Sequence, residues 1–328
     1  MVDKVVICGV RRGPDLLTAG EIQQSIGRAG RSMSSPGEAV VICQAEDAEY
    51  ARKCLDSPPP IIRSKLSGVE AVAFHVLPWI DRVHDEESFA AWSARSLSGQ
   101  QGVLGCTWGE VNDYLYGLGC VDAGGFVTEF GKISVSSYYA PKALDCVRSR
   151  MSEIPPDDEF DPFGMSYVFS ALVDGKMHCG MELYGRDDYS GSMMARGYFL
   201  EDDLAGFCVY DVIMGEPLPP LRHAMSQIRS DFGRMENAVR RVAECEGRID
   251  LFGCIAVSSI MATRRVPYEV ACVMRAFDGI SRRSACELLD MGIRDFEALQ
   301  EDLEMVGNFS DELRDELSKL GFIEEAVE

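Results

Sequence analysis

Gln24-Ser25-Ile26-Gly27-Arg28-Ala29-Gly30-Arg31 is the stretch that decides how this chain is read. Just before it, Thr18 and Glu21 stand three apart, the spacing of a capping box that opens a helix. Gln24 and Arg28 then share one helix face at i,i+4. Gly27 and Gly30 loosen the helix end, so Arg31 can turn toward the same side. Two guanidiniums converging on one point suit a polyphosphate, because each is a planar, permanently charged fork of donors. The plainer alternative is an amphipathic helix with surface arginines. Apolar runs Lys4–Val10 and Glu38–Cys43 flank the segment and predict strands on either side of it.

Outward from there, Asp56-Ser-Pro-Pro-Pro60 is a stiff stop that ends this α/β piece. Arg63-Ser-Lys-Leu66 opens a predicted helix carrying Val69, Ala73, Val76 and Ile80. A second is expected over Glu86–Leu97. A third starts at Thr107, places Trp108, Val111, Leu115 and Leu118 at helical spacing, and stops near Gly119. Gly119 to Val127 reads as a two-strand wing. Three helices with a hairpin predict a winged helix. Met151–Phe163, acidic and containing Pro155-Pro156, reads as a loop, and 164–214 as short helices of a bundle. Over 223–246, Met225, Ile228, Phe232, Met235, Val239 and Val242 form the apolar stripe of one long helix. Arg234, Arg241 and Arg248 repeat by seven, aligned if that helix continues, with Asn237 close to their line. Such a line suits phosphates and bases, and equally a solvated helix face on which Glu236, Glu244 and Glu246 interleave.

Gln24 to Arg31 resembles motif VI of the Ski-like superfamily-2 helicases, Q-x-x-G-R-A-G-R. Thr128-Glu-Phe-Gly131-Lys-Ile-Ser-Val-Ser-Ser-Tyr138-Tyr-Ala-Pro141 resembles the T-x-x-G-[RK]…Y-x-x-P segment that follows the winged helix in archaeal Hjm/HelQ-type DNA helicases and their Sec63-domain relatives, with Val135 where the family usually has serine. The tail from Val266 through Gly279-Ile280-Ser281-Arg282-Arg283 to Ile293 resembles a helix-hairpin-helix, whose hairpin amides meet a phosphate. There Ser281 replaces the second glycine, and Arg282 and Arg283 could compensate with charge. The resemblance implies a mainly α (α+β) chain. Its parts would be the end of a second RecA-like lobe (1–55), a winged helix (61–150), a helical ratchet, Sec63-like domain (151–265) and a hairpin tail (266–328). It implies that Arg28 and Arg31, with Gln24, act as fingers on a γ-phosphate. Nucleic-acid contacts would come from Arg234, Asn237, Arg241, Arg248, Gly279, Ser281, Arg282 and Arg283.

In that family motif VI closes the motor, whereas here it comes first. No G-x-x-x-x-G-K-[ST] and no D-E-x-H-type box occurs. The chain alone is therefore expected to hydrolyse nothing. ATP with Mg2+ would be engaged only beside a separate helicase motor polypeptide, unless the chain is truncated or a degenerate paralogue. Its other partner would be single-stranded or forked DNA in repair or at replication forks, or RNA for an RNA helicase accessory chain. A non-catalytic, Sec63-like protein scaffold is the alternative from another class.

A net charge of −21 argues against a wholly basic nucleic-acid binder but permits a local arginine stripe. Twelve cysteines without C-x-x-C pairs read as reduced thiols. No metal is expected, since His75, His84, His178 and His223 stand isolated. Without an apolar run of about eighteen residues or a signal-peptide core, a cytoplasmic protein without a membrane span is expected.

Overall fold

The computed structural model describes residues 3–12, 15–30, 37–58, 61–156, 160–173, 186–199, 203–215, 222–301 and 303–323. It is mainly helical. The chain divides into two compact units, Met1–Lys65 and Leu66–Glu328.

The first unit runs β1 (Lys4–Cys8), β2 (Arg11–Arg12), β3 (Asp15–Leu16), α1 (Ala19–Ile26), β4 (Glu38–Ile42) and α2 (Ala48–Asp56). β1 and β4 pair in parallel, Lys4 opposite Glu38 and Cys8 opposite Ile42. A parallel pair needs a crossover, and α1 supplies it. The predicted capping box starts α1: the Thr18 hydroxyl accepts from the Glu21 amide at 3.3 Å, and Glu21 accepts from the Thr18 amide at 2.8 Å. β1 ends two residues earlier than its apolar run because Gly9, at φ 91°, turns the chain. Val10, Ile22, Ala51 and Cys54 form a small core against which Ile7, Val41 and Tyr50 pack. β2 and β3 form a short hairpin that the periodicity did not announce.

Among its described residues the second unit is helical apart from one isolated β-bridge. It comprises α3 (Val69–Val76), α4 (Glu86–Ala94), α5 (Leu97–Gln100), α6 (Trp108–Gly117), α7 (Glu129–Ser137), α8 (Pro141–Glu153), α9 (Pro162–Ser170), α10 (Arg186–Ala195), α11 (Asp203–Met214), α12 (Arg222–Cys245), α13 (Phe252–Arg264), α14 (Tyr268–Ala276), α15 (Arg282–Asp290), α16 (Phe296–Glu301) and α17 (Asp311–Lys319). One continuous apolar core extends from Val72 to Leu317. α12 lies among α7, α8, α11 and α13, with Met225, Ile228, Phe232, Met235, Val239 and Val242 all buried as their spacing predicts.

Several boundaries differ from expectation. The helix expected from Arg63 begins at Val69, after Gly68 at φ 81°, whose amide donates to Leu104. It ends at Val76, because Pro78 tightens Leu77–Trp79 into a 3-10 turn. The helix expected over Glu86–Leu97 breaks after Ala94, where Ser96 caps a separate α5 through the Gly99 amide at 2.9 Å. α8 runs on through Glu153 into the stretch expected to be loop. The expected two-strand wing is a single antiparallel bridge, Val121 to Val127. Asp122 explains it: its carboxylate accepts from the amides of Gly124 (2.8 Å) and Phe126 (2.9 Å), closing the turn before a ladder can form.

Candidate nucleic-acid interface

The predicted ligand-facing residues fall in three places. In the first unit, Gln24 and Arg28 line an open depression along β1 with Val5, Val6, Ile7 and Ser25. Both are exposed. Arg28 does not continue the helix. α1 ends at Ile26, Gly27 caps it, and the Arg28 amide closes a turn onto the Ser25 carbonyl at 3.2 Å. Arg31 lies outside the described residues. The neighbouring glutamine, Gln23, is structural. Its side-chain amide donates to the carbonyls of Cys54 (3.3 Å) and Ser57 (2.6 Å), tying α1 to the end of α2.

The second place is the border between α7 and α12. At about 100° per residue, Arg234 and Arg241 sit on one edge of the buried stripe of α12. The Arg234 guanidinium lies 4.5 Å over the centre of the Tyr139 ring and has a 3.4 Å contact with Asp231. Arg241 donates to the hydroxyl of Ser136 at the end of α7. Asn237 is exposed between them. Each guanidinium carries five N–H donors, so these contacts orient the groups without exhausting them.

Of the three acidic residues interleaved in the sequence, Glu244 is exposed and the other two are engaged away from the arginines. Glu236 points to the opposite edge of α12, where it accepts from the Ser259 hydroxyl of α13 at 2.5 Å. Glu246 turns toward Arg148, at 4.0 Å. Glu129 is held by Lys132 at 2.6 Å, and Arg241 also helps keep its carboxyl below the usual range.

Arg248 does not join the line. α12 stops at Cys245, Gly247 takes φ 69°, and the Arg248 amide bonds back to Ala243 at 2.8 Å. This is the Schellman pattern that ends a helix. The Arg248 side chain is engaged by Asp250, at 2.8–3.1 Å, and by the Met151 carbonyl. That pairing holds the Asp250 carboxyl below its ordinary value.

The third place is the hairpin between α14 and α15. Gly279 takes φ 92°, and a β-carbon there would come within 3.0 Å of Leu320. Ala285 and Leu288 are fully buried behind it. The Ser281 amide, which was expected to meet a phosphate, donates instead to Glu316 at 3.1 Å. A carboxylate thus stands where the anion would bind. Arg283 pairs with Glu312 at 2.5 Å, and Arg282 is exposed.

Two features carry no signal in the hydrophobic periodicity of the sequence. Tyr138, at the C-terminal cap of α7, takes φ 59° and exposes 75% of its surface. A left-handed backbone is uncommon for a bulky residue, and such strain gathers at functional sites. Arg229, on the other edge of α12, donates to the Ala262 carbonyl at 2.9 Å. Its buried Nη2 has no partner, and burial together with Arg265 lowers its pKa. Neither has a periodic signature, because both depend on where a helix end meets a neighbour.

Among the described residues no group of three possible ligands gathers around a metal position, and no helix is long and apolar enough to cross a membrane. No protein-family model matches the chain, and no curated protein matches it significantly.

Proposed function

We propose that this chain is the nucleic-acid-binding, C-terminal portion of a superfamily-2 DNA helicase of the Hjm/HelQ type, and that it presents Arg28 and Arg31 to an ATPase half on a separate polypeptide. The observation that carries the binding part is the α7–α12 border. There Arg234 is set over the Tyr139 ring and Arg241 on the Ser136 hydroxyl, while Glu236 and Glu246, two of the three acids interleaved with them, are engaged by Ser259 and Arg148. In a chain of net charge −21, a local pair of arginines that keep donors to spare beside their contacts with Asp231 and Ser136 suits a strand of phosphates.

The motor part rests on the first unit. Gln24 and Arg28 line one depression, and Arg28 is exposed there, where a phosphate held by another chain would meet it. ATP, when bound by the motor half, would supply the hydrolysis that drives movement. This chain's share would be to place a fixed positive charge at the terminal phosphate. Val6 and Ile42, 49% and 57% exposed, lie on the sheet face opposite the one packed by Ile7 and Val41. Parallel sheets are normally covered on both faces, and a partner polypeptide would cover this one. The hairpin is left out of the proposed contact, because Glu316 occupies the Ser281 amide.

The test is fluorescence anisotropy with a forked DNA bearing a single-stranded arm, across a salt series. Salt-sensitive binding that weakens in Arg234→Ala/Arg241→Ala is expected. Absence of binding even at low salt would sink the proposal and favour a protein scaffold. The same pure protein should show no ATPase activity.

A further inference from the structure

Tyr138 is the residue that packing explains least. Its ring is 75% exposed, so it contributes little to the core. Its backbone, at φ 59°, adopts a conformation that glycine would take without strain. Its amide closes α7 onto the Ser134 carbonyl at 3.1 Å, which any residue could do. Neither the side chain's burial nor the backbone's needs call for an aromatic here.

What surrounds it does. The Ser136 hydroxyl, two residues earlier, receives Arg241. The next residue, Tyr139, is buried and carries Arg234 over its ring. The Ser134 hydroxyl, itself buried, donates to the Tyr139 carbonyl at 2.6 Å and pins the chain just past Tyr138. Tyr138 is therefore a rigidly based, outward aromatic set between the anchor points of two arginines. Phe126 is comparably exposed, at the Asp122 turn, and among the described residues no arginine is seen anchored on its immediate neighbours.

Resting on the nucleic-acid reading above, we infer that Tyr138 is a stacking platform for a base of a single strand whose phosphates lie against Arg234 and Arg241. Aromatic stacking needs an unpaired base with a free face, so the ligand is single-stranded and the contact is indifferent to sequence. Duplex nucleic acid would gain only the phosphate part.

The experiment compares the full chain with Tyr138→Ala, Tyr138→Phe, Tyr138→Gly and Arg234→Ala/Arg241→Ala on two labelled oligonucleotides, one oligothymidine and one of equal length with abasic sites. Wild type should favour the base-containing strand by about fivefold or more. Tyr138→Ala should lose that preference while its affinity for the abasic strand stays unchanged, and Tyr138→Phe should keep it. The arginine pair should weaken both strands alike. Tyr138→Gly should raise the melting temperature by relieving the backbone while also losing the preference, which a purely structural tyrosine would not do. Equal binding of both strands by wild type, or equal weakening of both by Tyr138→Ala, overturns the stacking role and leaves the nucleic-acid reading standing. No binding of either strand at low salt overturns both.

Discussion

Asp47 sits at the start of α2 with its side chain only 8% exposed, gripped by the Arg11 guanidinium through two bonds of 2.9 and 2.7 Å. The Arg11 hydrogen bonds hold its carboxyl below the ordinary aspartate range. A carboxylate so lowered adds stability that is fully present above its unfolded value, about 3.9. That stability drains away as pH falls through the folded value. Asp47→Asn should therefore lower the melting temperature at pH 7 and flatten its decline below about pH 4. Calorimetry from about pH 3 to pH 7 checks both, and an unchanged acid limb would show that Arg11 and Asp47 are not coupled in solution. The pair was invisible in the sequence, because residues 36 positions apart meet only once β2 folds beside α2. The capping box at Thr18 and Glu21 was legible, because it is local.

α7 shows why the T-x-x-G spacing from Thr128 to Gly131 matters physically. The Thr128 hydroxyl accepts from the Gly131 amide at 3.1 Å and donates to the Gly119 carbonyl at 2.6 Å. This draws the first turn of α7 against the end of α6. A β-carbon on Gly131 would lie 2.2 Å from the Cys120 carbonyl oxygen. Gly131→Ala should cost about 1–3 kcal/mol, seen as a lower denaturation midpoint at unchanged slope. Thr107→Ala, which removes the cap of α6, should cost about 1 kcal/mol. A loss for Gly131→Ala no larger than that for a surface alanine would contradict the close approach. α12 is the element periodicity read best, since its stripe is buried as spaced. Its end was misread: the seven-residue repeat to Arg248 crosses Gly247, whose left-handed turn takes Arg248 off the helix.

For the molecule as a whole, the charge of −21 means that binding must rest on a few local contacts. For single strands the logarithm of affinity falls with the logarithm of salt at about 0.7 per phosphate contacted. Arg234→Ala/Arg241→Ala should make that slope shallower by about 1.4 if each guanidinium holds one phosphate. Arg283→Ala should leave it unchanged, because Glu312 already pairs with Arg283 and Glu316 holds the Ser281 amide of that hairpin. A loss of slope in the hairpin variant would place phosphates on the tail and reverse this assignment. A melting curve of each variant separates lost contact from lost folding.

The linear order of residues was enough for a mainly helical chain, the strand–helix–strand start, the capped helices and the buried face of α12. These follow from hydrogen bonds and periodicities spanning a few residues. Which charges remain available was decided by long-range folding. Glu236 is engaged by Ser259 on α13 and Glu246 turns to Arg148, while Arg234 keeps only a local contact with Asp231. Arg248 was drawn onto the Met151 carbonyl, 97 residues away, and the hairpin amide onto Glu316, 35 residues away. A sequence shows how many charges a segment carries. Which of them are neutralised depends on helices brought together by the burial of apolar surface, and that pairing has no period to read.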